Sequence, residues 1–177
     1  MEITRFKGLR NTRPEKVTQL TEVLNDIKSD KYKAQIKAIR QDENPSKCKL
    51  KDSLPVFTPT GRFNYRSKAG LEQYNGIMCL DIDNVEDAKT LKARAAKLNY
   101  VHAAFITPSG SGLKVIIKTD ATPDTYKQAE LEVSSAFQHD AGGIRDNHCK
   151  DIARIQYVSY DPDLYYNENS VTFQTSK

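Results

Sequence analysis

The stretch Gly76-Ile77-Met78-Cys79-Leu80-Asp81-Ile82-Asp83-Asn84 is an apolar run that ends in two aspartates one residue apart. In a β-strand, residues i and i+2 share a face, so Asp81 and Asp83 project side by side while Leu80 and Ile82 enter the core. Two carboxylates on one face are unfavourable unless a cation holds them. Acidic oxygens suit magnesium or manganese, ions that support phosphoryl and nucleotidyl transfer. The local alternative is that the pair ends a strand and caps the next helix. An isolated D-x-D recurs by chance, so both readings stay open.

Downstream of this strand the pattern is regular. A helix over about 85–98 carries Ala88, Leu91, Ala95 and Leu98 on one face. A strand over 101–106, a small-residue turn over 107–112 and a strand over 113–118 follow. Thr122-Pro123 opens a second helix that buries Tyr126, Ala129, Val133 and Phe137, and the last strand covers 152–159. The order strand, helix, strand, strand, helix, strand specifies an α+β fold with a split βαβ, RRM-like core, its helices over one face of an antiparallel sheet.

Upstream, residues 3–7 suit a short strand. Thr12 and Glu15 form a capping-box pair with Pro14 in the first turn, predicting a helix to about Lys28 with Val17, Leu20, Val23, Leu24 and Ile27 at helical spacing. A second helix turns Tyr32, Ile36 and Ile39 inward, and 54–63 suits two short strands around a Pro/Gly turn. Other faces of the second helix carry Lys31, Lys33, Lys37 and Arg40, followed by Lys47, Lys49 and Lys51 beyond Asn44-Pro45. This is the strongest basic cluster. The formal net charge of +4 divides unevenly: residues 1–75 hold 16 Lys and Arg against 9 Asp and Glu, the remainder 11 against 14. A basic front beside an acidic back fits polyanion binding next to a metal site, and a solvated helix face also fits it.

At 177 residues the chain suits one domain, read as a basic subregion over 1–75 and a metal- and nucleotide-binding core over 76–167. No stretch approaches the ~20 apolar residues of a membrane span, and the first residues lack a signal-peptide hydrophobic region. A cytoplasmic location without membrane partners is the expectation. Cys48, Cys79 and Cys149 are odd in number and widely spaced, which favours reduced thiols.

Two further segments bear on chemistry. In Thr107-Pro108-Ser109-Gly110-Ser111-Gly112-Leu113-Lys114, glycines let amides converge on an anion, the hydroxyls of Ser109 and Ser111 add donors, and Lys114 adds charge. The spacing is not that of a Walker loop, and a plain hairpin turn explains it equally. The segment Arg145-Asp146-Asn147-His148-Cys149-Lys150-Asp151-Ile152-Ala153-Arg154 can bring Asp146 or Asp151 toward the first aspartates, with Arg154 able to neutralise phosphate. A polar loop with a surface Arg–Asp pair is the other reading.

The order of these three segments resembles the archaeo-eukaryotic primase superfamily, including primase-polymerases. It resembles more closely the VirE N-terminal-like domains of bacterial mobile elements and phages. The resemblance covers about 54–167. It implies that Asp81, Asp83 and Asp146, with Asp151 as the alternative third carboxylate, hold two Mg²⁺ or Mn²⁺ ions. It further implies that Ser109, Gly110, Ser111, Gly112, Lys114 and Arg154 bind nucleotide. The expected activity is metal-dependent transfer of nucleotides onto a 3′-hydroxyl in replication of a mobile element or phage. Lys31, Lys33, Lys37, Arg40, Lys47, Lys49 and Lys51 would track the backbone of a single-stranded DNA template. Nucleoside triphosphates are the implied substrates and a replicative helicase the candidate partner. Many active members carry histidine where this chain has Lys114, so the alternative is a primase-like nucleic-acid-binding module without catalysis.

Overall fold

The computed structural model describes residues 1–143 and 151–176. In chain order it forms β1 (Glu2–Phe6), β2 (Lys16–Gln19), α1 (Leu20–Lys28), α2 (Lys33–Arg40), β3 (Val56–Thr58), β4 (Gly61–Phe63) and β5 (Leu71–Tyr74). There follow β6 (Ile77–Ile82), α3 (Ala88–Ala95), β7 (Val101–Ile106), β8 (Leu113–Lys118), α4 (Tyr126–Ala141), β9 (Gln156–Tyr157) and β10 (Tyr165–Tyr166). The fold is α+β with antiparallel sheets. The central sheet runs β10-β7-β8-β6. Both β6 and β7 are antiparallel to the β8 strand between them, so they run parallel to each other with α3 as their crossover. That is a split βαβ unit.

The strands of this sheet are apolar on both faces because both are covered. Met78, Leu80, Ile82, Val115 and Ile117 pack with Leu91 and Ala95 of α3 and Tyr126, Val133 and Phe137 of α4. The intervening residues Ile77, Cys79, Phe105 and Ile116 pack with Leu20, Leu24 and Ile27 of α1 and Ile36 and Ile39 of α2. Helices therefore lie on both faces, not one, and the basic N-terminal subregion shares a core with the rest of the chain.

The expected helix from Thr12 starts only at Leu20. Residues 16–19 instead supply a hydrogen-bonded partner for β1, with Ile3 opposite Thr18 and Arg5 opposite Lys16. Glu15 donates its amide to the Arg5 carbonyl at 2.8 Å, and Val17 is left exposed. A strand pairing thus overrides the capping-box signal. The strand expected over 152–159 contracts to β9 and pairs with β3, Val56 opposite Tyr157. It completes an N-terminal sheet in the order β2-β1-β3-β9. The outer edge of β7 is taken by β10, from the tyrosine- and asparagine-rich tail.

One buried ion pair joins several of these pieces. Lys92 of α3 reaches both carboxylate oxygens of Asp161 at 2.7 Å. Asp161 also accepts the Ile106 amide from the end of β7 at 2.9 Å, while its own amide donates to the Ile27 carbonyl of α1 at 2.9 Å.

Candidate functional site

Asp81 and Lys114 are directly opposed in the β6–β8 ladder, on the same face of the sheet. Their charged groups are in contact, the ammonium against Oδ2, and the side chains are only 9 % and 8 % exposed. Such burial of two ionisable groups is tolerable because each compensates the other. Cys79, two residues before Asp81 on that face, is pushed up to about 12 by burial, with Lys114 pulling the other way. Its thiol is not a nucleophile at neutral pH.

Asp81 is buried, whereas Asp83 lies one residue beyond the end of β6 and is exposed. Asn84 next to it takes a left-handed conformation at φ 54°. The helix cap is a different residue. Asp87 accepts the amides of Lys89 and Thr90, both at 3.0 Å, and starts α3 at Ala88 in place of the expected 85. The capping role once open to Asp81 and Asp83 is therefore filled by Asp87.

The 107–112 turn packs against this strand end. A Cβ at Gly112 would lie 2.7 Å from the Ile82 carbonyl, so only glycine fits there, and Gly110 has φ +85°. The Val85 amide donates to the Ser111 carbonyl at 2.8 Å. Hydroxyls of Thr107, Ser109 and Ser111 form a chain with spacings of 3.1 and 3.2 Å. The Gly110 amide, expected to face an anion, donates instead to the Thr107 carbonyl at 3.0 Å.

Asp146 lies outside the described residues. Asp151 is exposed and folds its own turn, accepting the Ala153 amide at 2.9 Å through Oδ1. A cleft of about 350 Å³ brings Asp81 and Asp151 together with Arg154, Arg66, Tyr157 and Leu9. First and third segments therefore meet, with Asp151 the described third-segment carboxylate that does so. Among the described residues, no group of three or more His, Cys, Asp or Glu side chains is arranged to hold a metal ion. Carboxylate oxygens of Asp81 and Asp151 are the right donor chemistry for a hard divalent ion. Lys114 supplies the positive charge at Asp81, so an ion that uses this carboxylate must compete with an ammonium already in contact.

The basic cluster is split by the fold. Lys31 bonds Asp26 at 2.5 Å and Lys33 bonds Asp30 at 2.8 Å. Arg40 turns inward, donating to the carbonyls of Thr107 at 3.2 Å and Tyr160 at 3.0 Å, and burial pushes its pKa below the ordinary value. It braces the turn. Lys37, Lys47 and Lys49 are exposed. Lys51 reaches the neighbourhood of the cleft, its ammonium 5.6 Å over the Tyr157 ring. Arg66 and Tyr157 carried no periodic signal in the sequence. The one available hint was the aromatic–basic pair Tyr65-Arg66 beside the Pro/Gly-rich strands.

A family model described as BT4734-like, N-terminal domain matches residues 49–166. The chain belongs to this family. The BT4734-like match spans 118 of the 177 residues, from just before β3 to the end of β10. It takes in Asp81, the 107–112 turn, Lys114, Asp151 and Arg154, and excludes Lys31, Lys33, Lys37, Arg40 and Lys47. Neither curated proteins nor solved structures returned a match.

Proposed function

We propose that the chain is a primase-polymerase-type nucleotidyltransferase domain acting on nucleic acid. The observation that carries this reading is the cleft in which Asp81, Asp151 and Arg154 converge. In such a reaction the 3′-hydroxyl oxygen of a primer bonds to the α-phosphorus of a nucleoside triphosphate, pyrophosphate leaves, and the hydroxyl proton passes to solvent. Bound magnesium or manganese would supply the charge that activates the hydroxyl and stabilises the leaving group. Asp81 and Asp151, with Asp83 and Asp146 as further carboxylates, would hold it. Arg154 neutralises phosphate charge, and the Ser109 and Ser111 hydroxyls orient the triphosphate. Lys114, in contact with Asp81, would be available to phosphate if a metal took that carboxylate.

Labelled nucleotide incorporation on a primed single-stranded template, with Mg²⁺ or Mn²⁺, tests the reading. Asp81→Asn is expected to lower incorporation about a hundredfold or more with the fold retained. Incorporation equal to wild type in Asp81→Asn and Asp151→Asn would remove the site assignment. A second reading, a nucleic-acid-binding module without catalysis, is favoured by one observation, the direct Lys114–Asp81 contact. It expects template binding with no metal response and no incorporation.

A further inference from the structure

We propose that single-stranded nucleic acid approaches the cleft across the surface framed by Arg10, Arg13, Lys51, Arg66, Tyr65 and Tyr157, and not along α2. The proposal deepens the nucleotidyl-transfer reading and rests on it for the destination of the strand. Three loops far apart in sequence build the surface as one piece. The Arg66 amide donates to the Thr12 carbonyl at 3.0 Å, and its guanidinium donates to the Leu9 carbonyl at 2.5 Å. Arg10 approaches Asp52 at 3.9 Å with its own side chain 90 % exposed. Arg66 and Tyr157 are themselves walls of the cleft that holds Asp81, Asp151 and Arg154.

The composition of the surface matches what an unpaired strand needs. Arg13 lies 5.7 Å over the Tyr65 ring, and Lys51 lies 5.6 Å over that of Tyr157. Tyr65 is 41 % exposed, so its ring is open to a base. Cation and ring side by side suit a backbone phosphate and a stacked base of one nucleotide, and a duplex keeps its base faces hidden. Among the described residues, Asp52 lies beside Arg10, Asp151 lines the cleft, and the charge of Asp81 meets Lys114. Among the described residues, Arg10, Arg13, Lys51 and Arg66 outnumber these three. Along α1 and α2 the balance differs, since Asp26 and Asp30 hold Lys31 and Lys33, and Arg40 is turned inward.

Fluorescence anisotropy of a labelled oligothymidylate, without metal or nucleotide, tests the surface. Arg13→Ala and Arg66→Ala should each weaken binding and lower the salt slope by about 0.7 per lost phosphate contact. Tyr65→Ala should weaken it about tenfold with the slope unchanged. Arg13 and Tyr65 are exposed, so these variants test the surface even if Arg66→Ala fails to fold. Lys31→Ala and Lys37→Ala should bind as wild type. Wild-type affinity in the Arg13 and Tyr65 variants, an equal loss in Lys31→Ala, or tighter binding of a duplex would each overturn the proposal. Because the assay needs no chemistry, oligothymidylate bound through this surface with no incorporation would remove the nucleotidyl-transfer reading alone. Incorporation unaffected by the surface variants would remove the surface alone.

Discussion

Two buried lysine–aspartate pairs flank the central sheet, and they are built differently. Lys92–Asp161 joins segments far apart in sequence, and Asp161 also accepts the Ile106 and Asp163 amides. Lys114–Asp81 spans two strands already aligned by a continuous ladder from Ile77–Lys118 to Ile82–Leu113. The first pair clamps α3, β7 and α1. The second adds little to strand alignment, yet it sets opposite charges at the wall of a cleft beside Asp151 and Arg154. A buried ion pair that the architecture does not need is where function is to be sought.

The comparison can be broken most directly by removing the clamp. Asp161→Ala strands the Lys92 ammonium and frees two backbone amides, and is expected to destabilise the fold by about 3–5 kcal/mol. Urea denaturation measures this. A smaller loss than that of Asp81→Asn would reverse the roles assigned to the two pairs. Lys114→Met is the next largest change. It leaves Asp81 without its ammonium and is expected to lower stability, by less than Asp161→Ala because Asp81 lines a cleft that water can enter. Added Mn²⁺ should then raise the thermal midpoint more than in wild type, because the competing charge is gone. An unchanged response to Mn²⁺ would separate Lys114 from any metal site.

Two finer tests concern groups near these pairs. With burial holding its thiol at about 12, Cys79 should resist iodoacetamide at pH 8 in the folded protein and react on unfolding, as read by mass spectrometry. Rapid native labelling would mean that the core around Cys79 opens in the folded protein. The smallest effect is expected at His102, whose ring accompanies the Asn167 carbonyl at 2.8 Å and the Ser170 hydroxyl at 3.0 Å. Burial, aided by Lys118, lowers its pKa below 6.5. The unfolded chain therefore binds the proton first. The His102 contribution is complete above about pH 6.5 and is lost as pH falls below it. His102→Asn should flatten that decline in urea denaturation below about pH 6.5, and an unchanged decline would mean that His102 does not carry it.

How much of this could be read from sequence follows from how local each signal is. Ile77 to Ile82, Val101 to Ile106 and Leu113 to Lys118 are mostly apolar runs, and the structure places strands at those limits. Tyr126, Ala129, Val133 and Phe137 are buried as their helical spacing requires. Lys16-Val17-Thr18-Gln19 is compatible with a helix by spacing, and its pairing with β1 is decided by residues more than ten positions away. β9 depends on Val56, about a hundred positions earlier. For the site, Asp81, Lys114 and Arg154 were visible as residue types in order. That Lys114 would meet Asp81 required the β6–β8 register, and Arg66 and Tyr157 entered only through the packing of distant loops. The acidic partners of Lys31 and Lys33 were within five positions in the sequence, a local sign that this part of the basic cluster is internally neutralised.

The most direct measurement is calorimetric titration of Mn²⁺ into the protein with a non-hydrolysable nucleoside triphosphate, compared with Asp81→Asn and Asp151→Asn. Metal binding that strengthens with the nucleotide and is lost in both variants is the expected result. Binding of equal strength in all three proteins, or none in the wild type, would contradict a metal-dependent nucleotidyl-transfer site in this cleft.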